Sequence, residues 1–249
     1  MSRLTTVLTL AIFLLSIVLL QITTPLAGIE ADEVEGKFTE WEILEYNDAF
    51  VGSWYALDYS LRGKWAVKTG DSVNFTISKY NESNYGDPFN GTVAIGNFTA
   101  DVPISEVAMS LILSIYPWNP GLITHTNWTW HREQATAAAE GTYTLGTIQF
   151  TEESSEYLGL LRDTIKFEYV QDPTVGNQNT TLVYDIHTGL LLYADTELDF
   201  GTPYKFTIRI SETEIITATA TPGFGLVVIS LAFSILTLVI VQKKRKQRH

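Results

Sequence analysis

Tyr184-Asp185-Ile186-His187-Thr188-Gly189-Leu190-Leu191-Leu192-Tyr193 reads as a β-hairpin, and it decides the fold class of the chain. Apolar and aromatic residues flank a five-residue turn. Asp185 can accept hydrogen bonds from turn amides, and Gly189 can take positive φ at little cost. An Asp-x-x-Thr-Gly turn of this kind is structural and carries no chemistry. On either side the sequence continues as an antiparallel meander, with strands expected over Tyr143–Phe150, Ile165–Val170, Thr180–Ile186, Leu190–Asp195 and Tyr204–Ile210.

Before the meander the period changes. Ile104, Val107, Ala108, Leu111, Ile112 and Ile115 share one face at helical spacing, with Pro103 near the start. Pro117-Trp118-Asn119-Pro120-Gly121 cannot continue a helix, so this one must end by Tyr116. A more polar helix is expected from about Thr126 to Glu140, stopped by Gly141. Earlier still, Val73, Phe75 and Ile77 alternate with Asn74, Thr76 and Ser78 as in a half-buried strand. Residues 28–48, rich in Glu30, Asp32, Glu33, Glu35, Glu40, Glu42 and Glu45, read as an acidic lead-in. The expected class is therefore α+β, a curved antiparallel β-sheet packed on one or two helices, over residues 49–214. That arrangement resembles the sheet-around-helix architecture of the LolA-type periplasmic lipoprotein carriers, without any motif that would carry their function across.

The ends of the chain point to a membrane. Arg3, the apolar or small run Leu4 to Leu20, and Thr23-Thr24-Pro25-Leu26-Ala27 have the layout of a secretory signal peptide over residues 1–27. Gly223 to Val241 holds 19 residues without a charge, about 28 Å of helix against a hydrocarbon core of about 30 Å. Lys243, Lys244, Arg245, Lys246 and Arg248 follow, and the positive-inside rule assigns residues 242–249 to the cytoplasm as a basic tail. The expectation is a single-pass protein with its body on the extracellular face, bound to the lipid membrane through the transmembrane helix 223–241.

Between body and helix lies a Thr-rich linker, residues 215–222, containing Thr217, Thr219 and Thr221, followed by Pro222-Gly223-Phe224. The order of Thr-rich stretch, triplet, helix and basic end closely resembles the PGF-type C-terminal sorting signal of archaeal surface proteins. That resemblance covers about the last 30 residues of the chain. It implies an archaeosortase-like processing enzyme as partner, which would remove the helix and attach a lipid. With the hairpin, the anchor also resembles archaeal choice-of-anchor proteins, a family of unassigned function.

Composition narrows the chemistry. The chain has no cysteine, which removes disulfides, thiolate catalysis and cysteine-ligated metals. All 28 acidic residues lie between Glu30 and Glu214, with ten basic residues among them, so the body carries a net charge of −18. Such a field repels nucleic acid, which is excluded as the main partner. Six N-x-Ser/Thr sequons, at Asn74, Asn81, Asn90, Asn97, Asn127 and Asn179, exceed the about two that chance would supply, and point to N-glycosylation. Four of them fall between Asn74 and Asn97, which reads as an exposed, glycan-bearing stretch.

Catalysis finds no support. No metalloprotease motif, nucleophile elbow, phosphate loop, dinucleotide fingerprint or EF-hand loop is present. His125, His131 and His187 have no ligand spacing. Glu152-Glu153 and Asp195/Glu197/Asp199 could bind calcium or serve a glycosidase, but alternating acids more often form the solvent face of a strand. Trp128 and Trp130 could stack on carbohydrate; the simpler expectation is that one packs inward and the other supports a loop. The expected function is a non-catalytic binding or envelope-structural module at the cell surface, with no metal and no cofactor, taking an envelope protein or small ligand. The alternative is a surface-tethered hydrolase acting on glycans.

Overall fold

The computed structural model describes residues 34–47, 68–81, 84, 88–96, 98–199 and 203–215. The signal peptide, the sequon at Asn97, the linker beyond Ile215, the triplet Pro222-Gly223-Phe224, the transmembrane segment and the basic tail lie outside the described residues. Among the described residues no helix is long and apolar enough to cross a membrane.

Among the described residues nine strands form one antiparallel sheet: β1 (Phe38–Tyr46), β2 (Ser72–Tyr80), β3 (Phe89–Ile95), β4 (Phe98–Pro103), β5 (Gly146–Tyr157), β6 (Leu160–Gln171), β7 (Asn179–Asp185), β8 (Leu191–Asp199) and β9 (Pro203–Thr213). Their spatial order is β4-β3-β2-β1-β9-β8-β7-β6-β5. Two meanders thus meet at a central seam where β1 pairs with β9. Between β4 and β5, at opposite edges, run helices α1 (Ile104–Ser110) and α2 (Trp128–Ala139). The class is α+β, with strands, two helices and a meander in the expected order.

Period-two alternation sorts side chains onto two faces. On the inner face Phe150, Phe167, Leu182, Ala194, Ile208 and Ile43 form one row across six strands. All but the half-buried Phe150 are shielded from solvent. The connection between the edges packs against this face. Its backbone is only partly helical, so its carbonyls need partners, and three tyrosines supply them. Tyr204 of β9 donates to the Leu111 carbonyl at 2.9 Å, Tyr184 of β7 to Gly121 at 2.7 Å, and Tyr169 of β6 to Thr144 at 2.7 Å. Burial holds all three phenols protonated, raising Tyr169 to about 12 and Tyr184 and Tyr204 well above the ordinary tyrosine value.

Two expectations need correction. Residues 38–46, expected within the acidic lead-in, form β1: Glu40 and Glu42 lie on the outer face while Trp41 and Ile43 are fully buried. The Trp41 indole also donates to the Leu191 carbonyl at 2.6 Å. The first helix ends at Ser110 rather than near Ile115. Leu111 caps it, and Ile112 takes φ 56, a left-handed conformation incompatible with another helical turn. Leu113, Ile115, Leu122 and Ile123 are nonetheless buried, so the apolar run continues as an irregular cover for the sheet. Four of the five meander strands run longer than expected, above all β6, while β7 keeps its expected length and β5 begins at Gly146 rather than Tyr143.

Leu111 is fully buried, whereas Glu197 is exposed on the outer face of β8. Leu111→Asp is expected to abolish cooperative unfolding, because a buried unpaired carboxylate costs several kcal/mol against a total of about 5–15. Glu197→Ala should leave the thermal midpoint nearly unchanged. Thermal denaturation followed by circular dichroism checks both, and equal midpoints would refute the core placement of Leu111.

Candidate functional site

The Asp-x-x-Thr-Gly turn joins β7 to β8 and fastens the connection onto the sheet. Asp185 Oδ1 accepts from the His187 and Thr188 amides, each at 2.9 Å, and Oδ2 accepts from Arg162 Nη1 at 2.7 Å. Gly189 has φ 68, and a Cβ there would lie 1.8 Å from the Thr124 carbonyl oxygen. The closeness is functional to the fold, because the Thr124 amide donates to the Gly189 carbonyl and Ile123 bridges Leu190. Arg162 and Asp185 are both almost completely buried. Removing either partner would strand a buried charge, at a cost of about 3–5 kcal/mol.

Thr124 leads directly to the histidines. His131 on α2 is fully buried, and its Nδ1 accepts from Trp118 Nε1 at 3.3 Å. The proton of neutral His131 therefore sits on Nε2, which faces Thr124 Oγ1 at 2.9 Å and the His125 carbonyl at 3.2 Å. His125 stacks on His131 with ring centroids 4.3 Å apart, and its Nδ1 accepts from the Asn127 amide. Both nitrogens of His131 are thus occupied in holding the connection together, which leaves neither for ligation or proton transfer to a substrate. His187 lies apart, 3.4 Å from Asp163; hydrogen bonds from Ser154 and then His187 hold the Asp163 carboxyl below its ordinary range.

The tryptophans divide as expected. Trp128 donates from its indole to the Ile186 carbonyl at 2.8 Å and packs beside Phe167 and Tyr184. Trp130 packs on His125 of the preceding loop and on its helix neighbour His131. The acids do not converge: Glu152 pairs with Arg132, and Asp195, Glu197 and Asp199 alternate along the outer face of β8, Asp195 accepting from Thr207 at 2.6 Å. Among the described residues no three His, Asp or Glu side chains are placed to hold a metal.

The sequons fall in two settings. Asn81, Asn127 and Asn179 are exposed. Asn127 is also the N-cap of α2, its Oδ1 accepting from the Trp130 amide at 3.1 Å, which leaves the amide nitrogen, the atom that carries a glycan, outside the cap bond. Asn74 and Asn90 are half-buried on the outer face of β2 and β3, among Ser72, Thr76, Ser78, Thr92, Thr99 and Asp101.

Two outer-face features escaped sequence reasoning. The β5–β6 hairpin leans over the outer face: the Tyr157 ring lies 5.7 Å from the Arg209 guanidinium on β9, and Val183 on the same face is only 5% exposed. At the hairpin's end Leu158, Leu160 and Leu161 are exposed. The run Tyr-Leu-Gly-Leu-Leu between Glu156 and Arg162 was the available signal.

Burial, then the neighbouring His125, drives His131 down from 6.5 to about 3, against the opposing pull of the His125 carbonyl. Unfolded chains protonate this imidazole near 6.5, so between 6.5 and about 3 the unfolded state binds more protons. The stabilisation is complete above that window and falls with pH inside it, by at most about 1.4 kcal/mol per unit. Thermal midpoints measured at pH 7 and pH 5 should therefore drop on acidification. His131→Gln, less stable at pH 7, should show a shallower drop.

Comparison of the chain with protein-family models, with curated proteins and with solved structures found no match.

Proposed function

We propose that this chain is a membrane-anchored, N-glycosylated cell-surface protein whose domain, a curved sheet closed by its helical connection, is a non-catalytic binding or envelope-structural module. The observation that carries the reading is how the chemistry-bearing side chains of the domain are used. His131, Asp185 and Arg162 are buried and spent on joining the connection to the sheet, Asp195, Glu197 and Asp199 alternate along the outer face of β8, and Glu152 is paired with Arg132 of α2. Register irregularities in β1, β2 and β7 support the curvature, since bulges bend and twist strands. The exposed sequons at Asn81, Asn127 and Asn179 support an extracellular setting.

The terminal sequences supply the anchor. Cleavage after the signal, residence of the helix 223–241 in the bilayer and recognition of Pro222-Gly223-Phe224 by an archaeosortase-like enzyme form one consistent topology.

Mass spectrometry of native protein is expected to find glycans on Asn81, Asn127 and Asn179, with lower occupancy at half-buried Asn74 and Asn90. Unmodified peptides at all six sequons would overturn the surface reading. In an archaeal host, replacing Pro222-Gly223-Phe224 with three alanines should leave membrane insertion intact, because the apolar length is kept, and should leave a larger, unprocessed form. Retention of the 243–249 peptide in both mature proteins would show a permanent helical anchor instead.

A further inference from the structure

The end of the β5–β6 hairpin breaks two rules at once. Leu158 and Gly159 form its two-residue turn with φ 55 and 72, the left-handed pair that Asn-Gly or Gly-Gly adopts without strain and a leucine does not. Leu158, Leu160 and Leu161 are 38%, 52% and 69% exposed. A strained turn built from exposed leucine gains nothing for an isolated domain in water, so the apolar side chains themselves are the feature to explain.

The topology says what lies near them. All neighbouring strands are antiparallel, so the end of β9, the start of β8, the end of β7, the start of β6 and the end of β5 share one end of the sheet. The start of β1 and the end of β2, with Asn81, share it too, on the other side of the β1–β9 seam from the leucine turn. Thr151, Lys166, Val183, Tyr193 and Arg209 form one row. Beyond it β9 runs only to Thr213, while β5 continues to Tyr157. The leucine turn therefore belongs to the end of the sheet at which β9, the last strand before the apolar C-terminal run, ends. Seven residues separate Ile215 from Gly223, a reach of at most about 25 Å at ~3.5 Å per residue.

We infer that the β5–β6 hairpin end is a lipid-contacting loop: Leu158 and Leu161 enter the outer leaflet of the bilayer that holds the chain's own C-terminal segment, while Leu160 shares the face of Tyr157. The inference rests on the anchored reading above. Tyr157 keeps the inner side of the hairpin on the domain through its contact with Arg209, which leaves the outward Leu161 for the bilayer. No acid lies between Tyr157 and Leu161, but Glu156 and Asp163 flank them. The loop thus suits a neutral headgroup surface and not an anionic one.

The absence of native cysteine allows a direct test. Full-length Leu161→Cys, labelled with an environment-sensitive NBD fluorophore and reconstituted in phosphatidylcholine vesicles, should show blue-shifted emission quenched by nitroxide-labelled acyl chains. Thr147→Cys, exposed at the opposite end of β5, should show neither effect. Equal, unquenched emission from the two sites would overturn the inference. So would a blue shift at position 161 without lipid quenching, the signature of coverage by protein such as a second copy of this chain. Loss of the protein from the vesicles on carbonate extraction would overturn the anchored reading and the inference together, whereas retention with an unquenched label would overturn the inference alone.

Discussion

An irregular chain segment laid on an apolar sheet face must find partners for its carbonyls without water, and the rest of this structure depends on how that is met. Tyr204, Tyr184 and Tyr169 rise from three different strands and donate to Leu111, Gly121 and Thr144. Each phenol brings a large apolar ring to the core and one hydroxyl to the layer above. The helices between these points can then be short. Neither α1 nor α2 has the length to hold its position by helix packing alone, and α2 has only four buried residues, His131, Ala135, Ala138 and Ala139.

The turn at 185–189 fixes the same segment from the side. Asp185 organises the turn and neutralises Arg162, and Gly189 lets Thr124 approach to a distance that any side chain would block. Through Thr124 the turn reaches His131 and Trp118, so one buried polar network connects β6, the β7–β8 turn, the loop and α2. Networks of this sort specify a unique packing to the extent that their members are satisfied; here Arg162 is bonded through Nη1, while its Nε is buried without a partner.

Much of this was legible in the sequence, and the failures have physical causes. The hairpin around Gly189 was readable because turn chemistry is local. β1 was not, because its acids, counted as density, suggested a solvated segment, although Glu40-Trp41-Glu42-Ile43 already alternates. The first helix was overextended because burial of an irregular cover and burial of a helix face use the same apolar residues. Only the left-handed Ile112 separates them, and spacing does not encode it. At the candidate site, residue types were legible and partnerships were not. Arg162 finds Asp185 across a strand pair, and Tyr157 meets Arg209 only because the hairpin leans over the sheet.

The β1–β9 seam has a consequence in time. The two meanders are each made of neighbours in sequence, but the seam joins Thr39 to Thr213, and long-range pairing of this kind is the slow step of sheet formation. β1 has to wait for its partner until almost the whole domain has been synthesised. Throughout that interval one edge of a strand containing Trp41 and Ile43 is open, and it is the acids on the alternate positions, Glu40, Glu42 and Glu45, that keep such an edge from pairing with another chain. The charge on β1 therefore protects the growing chain before it has any role in the finished one.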